Sequence, residues 1–336
     1  MLRRSALTAL TGALLASAGC GAADRPRGAP PGPAASATVA SASKAVGFAR
    51  FSRTWEAKVL ENVTHVVVTG DAVATFAGGS VRTFSRTDGS ARRSARSGCM
   101  TLDAAAGKDG SLIVACIDGI NALDRETLAS RSLKRFDSTA LAATISKEEI
   151  VVELMVDDPK TPLQKELPFE IVAYEADSLK ERRRLPPAEG QALGLASNDA
   201  GLLAGIFPRS VQINRHPNER WRPLVKGAQL LFAAPSRSGE RLFLATPTDG
   251  SMAVDVATAT VARKWSGALP MVARWMGDEA VAVVDGLGGI RILEMSGTEA
   301  RSVQDDVYNS LAVSPEGDAL CAHSMIRGKL SCYFVR

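Results

Sequence analysis

The chain has 336 residues, 46% hydrophobic and 23% charged, a balance that supports a packed core and excludes a wholly disordered protein. Lys and Arg total 40 against 36 Asp and Glu, and the net charge of +4 is too small to argue for nucleic acid or an acidic membrane surface. Length does not force two domains, because single all-β domains commonly reach this size.

The first twenty residues, MLRRSALTALTGALLASAGC, open on Arg3 and Arg4, continue through an apolar stretch from Ala6 to Leu15, and end in small residues. This build is that of a secretory signal, too short to anchor by spanning a bilayer. Two cleavage readings compete. Ala16-Ser17-Ala18 fits ordinary signal-peptidase cleavage after Ala18, whereas Ser17 to Cys20 resembles a bacterial lipobox, with cleavage before Cys20 and lipidation of its thiol. The following segment favours lipidation. Gly21 to Ser43 is rich in Ala, Pro, Gly and Ser and contains no Leu, Ile, Phe or Trp, so it cannot bury enough apolar surface to fold. A flexible tether over 20–46 holds the body roughly 30 Å from the anchor. The resemblance implies export, a signal peptide over 1–19, and a place at the bacterial cell envelope, lipid-anchored at Cys20 on the outer membrane or periplasmic face. No later stretch is long and apolar enough to span a membrane.

From residue 47 onward the chain repeats. VRTFSRTDGSAR from Val81, INALDRETLASR from Ile120, IVAYEADSLKER from Ile171 and IRILEMSGTEAR from Ile290 share one plan. A β-branched residue begins each, an apolar residue stands fourth, a Thr, Ser, Asp or Gly cluster follows, and Arg closes the unit. Weaker copies start at Val211 and Ser251, and a last fragment at Lys329; successive starts lie 39, 51, 40, 40, 39 and 39 residues apart. Each unit is preceded by an apolar hairpin, such as LDAAAGKDGSLIVACI or LAVSPEGDALCAH. Alternating apolar runs broken by Gly, Asp and Ser read as strand, turn, strand, so each unit holds four strands. A four-stranded unit repeating at this length resembles a β-propeller blade. The turns SPEGD and KDGS and the stretch VDVATATV are similar to those of WD-repeat and YVTN-type propellers, without the Gly-His and Trp-Asp pairs of true WD repeats.

The resemblance implies an all-β fold over 47–336: a seven-bladed β-propeller of four-stranded antiparallel blades. The seventh unit supplies three strands, Ser310–Pro315, Ala319–Ser324 and Leu330–Arg336. ARFSRTWEAKVL, from Ala49 to Leu60, matches other fourth strands, since Trp55 corresponds to Trp221 and Trp265 there. An N-terminal strand near 49–58 is therefore expected to close the last blade.

Basic residues crowd the predicted outer strands, as in ARRSAR from Ala91 and LKERRR from Leu179. Spread around the rim, they suit protection of exposed edges better than an anion-binding belt. Setting Cys20 aside, four cysteines remain. Cys99 and Cys116 lie symmetrically about Gly107-Lys108, and Cys321 and Cys332 about Ile326-Arg327, so two disulfides across neighbouring strands are expected. No His or further Cys accompanies either pair, and no metal site or cofactor is expected.

No catalytic motif stands out. His65, His216 and His323 belong to no spaced metal motif, and the glycine-rich DGLGGIR from Asp285 reads as a hairpin turn. Predicted inner strands such as MTLDAAAG, LAATIS and LGLAS are small and apolar, which counts against a channel enzyme. The longest spacing marks an insertion, Val156 to Pro168, between the second and third strands of blade 3. Three prolines there limit its entropy. Asp157, Asp158, Lys160, Lys165 and Glu166, with Asp305 and Asp306 on the same face, are the candidate partner-binding residues. The reading is a non-catalytic envelope lipoprotein, monomeric outside its complex, whose propeller binds a protein or other macromolecule. Alternatives are a lactonase- or glycosidase-like propeller enzyme, an envelope-assembly subunit and a carbohydrate-binding propeller. The propeller lipoprotein of the outer-membrane barrel-assembly machine has eight blades with recurring tryptophans, whereas this chain has only four Trp; a carbohydrate binder calls for more aromatics than 5%.

Overall fold

A computed structural model describes residues 51–156, 169–185, 190–215, 220–227, 230–247, 250–266, 270–286, 289–296, 299–303 and 306–335. The strands form seven four-stranded antiparallel sheets arranged as a β-propeller, with no helix among the described residues. Blades 1 to 6 occupy 65–96, 101–135, 139–185, 194–226, 232–265 and 270–303, each running from the inner strand to the outer. Blade 7 takes its first three strands from 310–335, and its outermost strand is Phe51–Lys58, which pairs antiparallel with Lys329–Val335.

The burial patterns follow from this layout. Second strands are covered on both faces by neighbouring blades, so Ala72–Ala77, Leu112–Cys116, Leu202–Phe207 and Ala280–Asp285 are buried along their whole length. These read as continuous apolar runs, as doubly covered strands should. Outer strands such as Ala91–Arg96 and Ser130–Arg135 are largely exposed and carry the arginines. The core is not a single mass: seven apolar clusters each join two adjacent blades, one for every interface around the ring.

The turns between third and fourth strands repeat one design. The fifth residue donates its N–H to the first residue's carbonyl: Gly89 to Ser85, Leu128 to Asp124, Leu179 to Glu175 and Ala259 to Asp255. That fifth residue is left-handed in all four, with φ of +72°, +60°, +55° and +57°. A register shift in the flanking strands accompanies each, as a bulge with a left-handed first residue requires. The Asp or Glu that begins the turn accepts from the Thr or Ser three residues on, as Asp124 does from Thr127 and Asp255 from Thr258. Leu128 and Leu179 offset the left-handed strain by burial in the clusters between blades. Ala259 is exposed and has no such compensation.

Gly89 serves the closing strand. Trp55 on that strand is buried, its indole lies over Gly89 of blade 1, and its Nε1 donates to the Arg86 carbonyl at 2.7 Å. A Cβ at Gly89 would stand 2.4 Å from Trp55 Cε3.

Both disulfides form. Cys321 and Cys332 are register partners, with Cα atoms 4.1 Å apart. For Cys99 and Cys116 the symmetry argument needs correction. Thr101, not Cys99, stands opposite Cys116, the register shifts between Thr101 and Asp103, and the hairpin turns about Asp109. Cys99 reaches its partner from the loop entering the inner strand, with a Cα separation of 5.7 Å.

Two predictions follow from the closure and the turns. Trp55→Ala should cost about 3–5 kcal/mol, as for other large aromatic truncations, and deleting 47–58 should lower the melting temperature further; circular-dichroism melts measure both. Gly89→Ala should destabilise through strain and the Trp55 contact, whereas Ala259→Gly at the equivalent turn position should stabilise by about 1 kcal/mol, read by urea unfolding.

Candidate partner-binding face

Antiparallel order divides the connections between two faces. Loops between blades and turns joining second to third strands open on one face; the other turns open on the opposite face. We call these the loop face and the turn face.

The turn face is knitted by charge. Arg86 of blade 1 donates to Asp318 of blade 7 at 2.7 Å, and Arg125 of blade 2 lies 3.5 Å from Asp71 of blade 1. Lys108 of blade 2 pairs with Glu148 of blade 3 at 2.6 Å, and Lys147 of blade 3 with Asp199 of blade 4 at 3.3 Å. Asp278 of blade 6 accepts from the Ser238 N–H of blade 5 at 2.9 Å.

The loop face is different. Leu60, Met100, Leu193, Leu231 and Val307 are exposed large apolar residues in five of the seven inter-blade connections, Met271 stands at the start of the inner strand after a sixth, and Met325 and Ile326 form the blade 7 turn beside them. Leu60 and Ile326 are 71% and 70% exposed. Only two exposed large hydrophobics among the described residues lie elsewhere, Leu133 and Val261 on outer strands. Isolated exposed apolar side chains are ordinary on any surface, but their concentration on one face is not. Lys58, Arg96, Arg209 and Lys226 are exposed on this same face and have no ion-pair partner among the described residues. An open groove of about 820 Å³ lies between blades 1 and 2, lined by Asn62, Thr64, Gly79, Arg96, Cys99 and Met100.

The insertion of blade 3 joins the second and third strands, Glu149–Met155 and Phe169–Glu175, and so belongs to the loop face. Asp157, Asp158, Lys160, Lys165 and Glu166 lie outside the described residues, as does Asp305. Asp306 is described, and its carboxylate is nearly fully buried. It accepts from Ser324 Oγ and the Val307 N–H, both at 2.8 Å, and lies 3.5 Å from Arg327 Nε. Its contacts fasten the loop entering blade 7 to that blade's own turn. The apolar collar was the feature that spacing arguments missed. Its signal was a Leu or Met directly before three inner strands, at Met100, Leu193 and Leu231, hidden because apolar residues read as core.

His216 lies outside the described residues. His323 is buried between blades 7 and 1, its ring nitrogens 3.0 Å from Asn309 Oδ1 and the Val59 carbonyl, and burial lowers its pKa. His65 lines the central channel, with Nε2 4.0 Å from Asp103 Oδ1. Burial lowers the His65 pKa and raises that of Asp103. MTLDAAAG, small and apolar along most of its length, therefore also brings a carboxylate into the channel. Cys99, Cys116 and Asp118 bring ligand-type atoms within 4.8 Å, but the two sulfurs are bonded to each other.

Beneath the loop face, Glu153 is wholly buried in blade 3. Its Oε1 accepts from the Ala192 N–H at 2.6 Å, while Oε2 has no hydrogen-bond partner among the described residues. Burial raises its pKa.

Comparison with protein-family models finds no match, and comparison with the curated proteins finds no similar sequence.

Because the folded state holds the Glu153 proton more tightly than the unfolded chain, stability should fall as pH rises from the ordinary carboxylate range through the raised pKa. Glu153→Gln should remove that loss, leaving stability near wild type at pH 4 and raising it on the order of 1–3 kcal/mol at pH 8. Urea unfolding at the two pH values measures the difference.

Proposed function

We propose that this chain is a binding propeller of the bacterial cell envelope, exported, lipid-anchored at Cys20 and held off the membrane by the 20–46 tether. Its loop face engages a protein surface that presents apolar and acidic side chains. The observation that carries this reading is the collar of exposed Leu, Met, Val and Ile side chains on that face, interspersed with cations that lack ion-pair partners among the described residues. Binding energy at protein interfaces concentrates in such large apolar anchors, and rim charges set encounter and orientation. The turn face offers no comparable surface, because its described charges are largely matched across blades. A glycosidase mechanism needs two carboxyl groups flanking the scissile bond, and Asp103 is the one acid among the described channel-lining residues.

A photocrosslinking residue placed at Met100, Met271 or Ile326 in intact cells should give one discrete protein adduct, absent when the residue is placed at Leu133. Leu231→Asp with Met271→Asp should abolish the adduct without lowering the melting temperature, and Cys20→Ser should reduce it by releasing the protein from the membrane. Equal labelling from Leu133, recovery of the protein alone from every position, or adducts confined to lipid would overturn the proposal.

A further inference from the structure

The central channel contains a cavity of about 370 Å³, lined by first strands of six blades. That is within the range of small-molecule sites, about 300–1,000 Å³. The room comes from the alanines that made the inner strands look inert: Ala104, Ala105, Ala143, Ala196, Ala233 and Ala234 all line it. Among these small residues stand two aromatics, Phe232 and Trp275, and three titratable groups, His65 of blade 1, Asp103 of blade 2 and Arg274 of blade 6.

The three titratable groups interact across the channel: His65 Nε2 lies 4.0 Å from Asp103 Oδ1, and Asp103 and Arg274 attract each other through space. Asp103 Oδ1 accepts from its neighbour's Ala104 N–H and Oδ2 from the Ile145 N–H of blade 3, both at 2.9 Å, so its carboxylate is engaged by backbone. Among the described residues Arg274 makes one hydrogen bond, from Nη1 to the Ala273 carbonyl at 2.9 Å, and its attraction to Asp103 acts through space with no direct ion-pair contact. A guanidinium stays charged in any protein environment and presents five N–H donors in a planar fork. The remaining donors of Arg274 are therefore available to a bidentate acceptor in the cavity that it lines. Trp275 holds its indole in place by donating from Nε1 to the Ala234 carbonyl at 2.8 Å. Across the channel, Thr144 and Ser197 link blades 3 and 4 through their hydroxyls at 3.0 Å.

We propose that the channel binds a small organic carboxylate, its carboxylate held by the Arg274 guanidinium and its apolar body lodged against Trp275, Phe232 and the channel alanines. Asp103, which attracts Arg274, is the like charge that an anionic ligand meets there. The site is separate from the loop-face collar, and the proposal stands or falls independently of partner binding there.

Calorimetric titration of the full folded chain with benzoate, acetate and inorganic phosphate tests it. Benzoate should bind with a stoichiometry near one, more tightly than acetate and phosphate. Arg274→Gln should weaken benzoate by at least about tenfold, the loss of a bidentate charge-assisted contact, while Arg93→Gln on an outer strand leaves it unchanged. Asp103→Asn should tighten benzoate severalfold by removing the like charge, a sign opposite to that of Arg274→Gln and not expected of two residues that merely support the fold. Should Arg274→Gln fail to fold, Arg274→Lys keeps the charge, loses the fork and should still weaken binding severalfold. No binding by any of the three anions, phosphate binding more tightly than benzoate, or benzoate affinity indifferent to Arg274 would overturn the proposal.

Discussion

Everything in this molecule depends on closing a ring. Each blade exposes two apolar faces, and only a neighbour on either side can cover both. The seven clusters between blades are therefore one continuous requirement, and the interface between blades 7 and 1 is the one made by chain segments far apart in sequence. The pairing of Phe51–Lys58 with Lys329–Val335 places Trp55 within that interface. It is reinforced by contacts of different kinds: the indole bond to Arg86, the Val59 N–H donated to the Gly328 carbonyl at 2.8 Å, and the His323 ring against the Val59 carbonyl. The Cys321–Cys332 bridge lies one strand inward, with both sulfurs in the same apolar cluster.

Closure sorts the chemistry. Because strands alternate in direction, every loop between blades emerges on one face. The sequence uses the two faces differently. Turn-face residues neutralise one another across blade boundaries, which costs little and holds neighbours in register. Loop-face residues instead present Leu, Met, Val and Ile to solvent at nearly every connection. Exposing that much apolar surface has no folding advantage, and its concentration on one face is the observation on which the partner-binding proposal rests.

The channel has a third chemistry. Seven inner strands converge there, and small side chains determine how much space remains. The alanines that argue against catalytic machinery are the same ones that leave room for a ligand beside Arg274 and Asp103. A residue's smallness reads as inertness along one strand. It becomes a cavity only when several blades contribute it at the same height.

The local order was legible in the chain: repeat length, four strands per unit, the blade 3 insertion and the Cys321–Cys332 pairing. All depend on hydrophobic alternation, turn residues and short-range register, which act over a few residues. The correspondence of Trp55 with later fourth strands also pointed to the closing strand, because a repeat preserves its side-chain positions. Symmetry about Gly107-Lys108 failed for Cys99 because the hairpin turns about Asp109, and no composition rule places the centre of a turn to the residue. The apolar collar and the channel cluster were beyond reach for a deeper reason. His65, Asp103 and Arg274 are far apart in sequence, and Leu60 and Ile326 farther still. Periodicity says which side of its own sheet a residue occupies. Which residues from different blades share a face or a cavity is decided by the tertiary arrangement of the sheets around the ring.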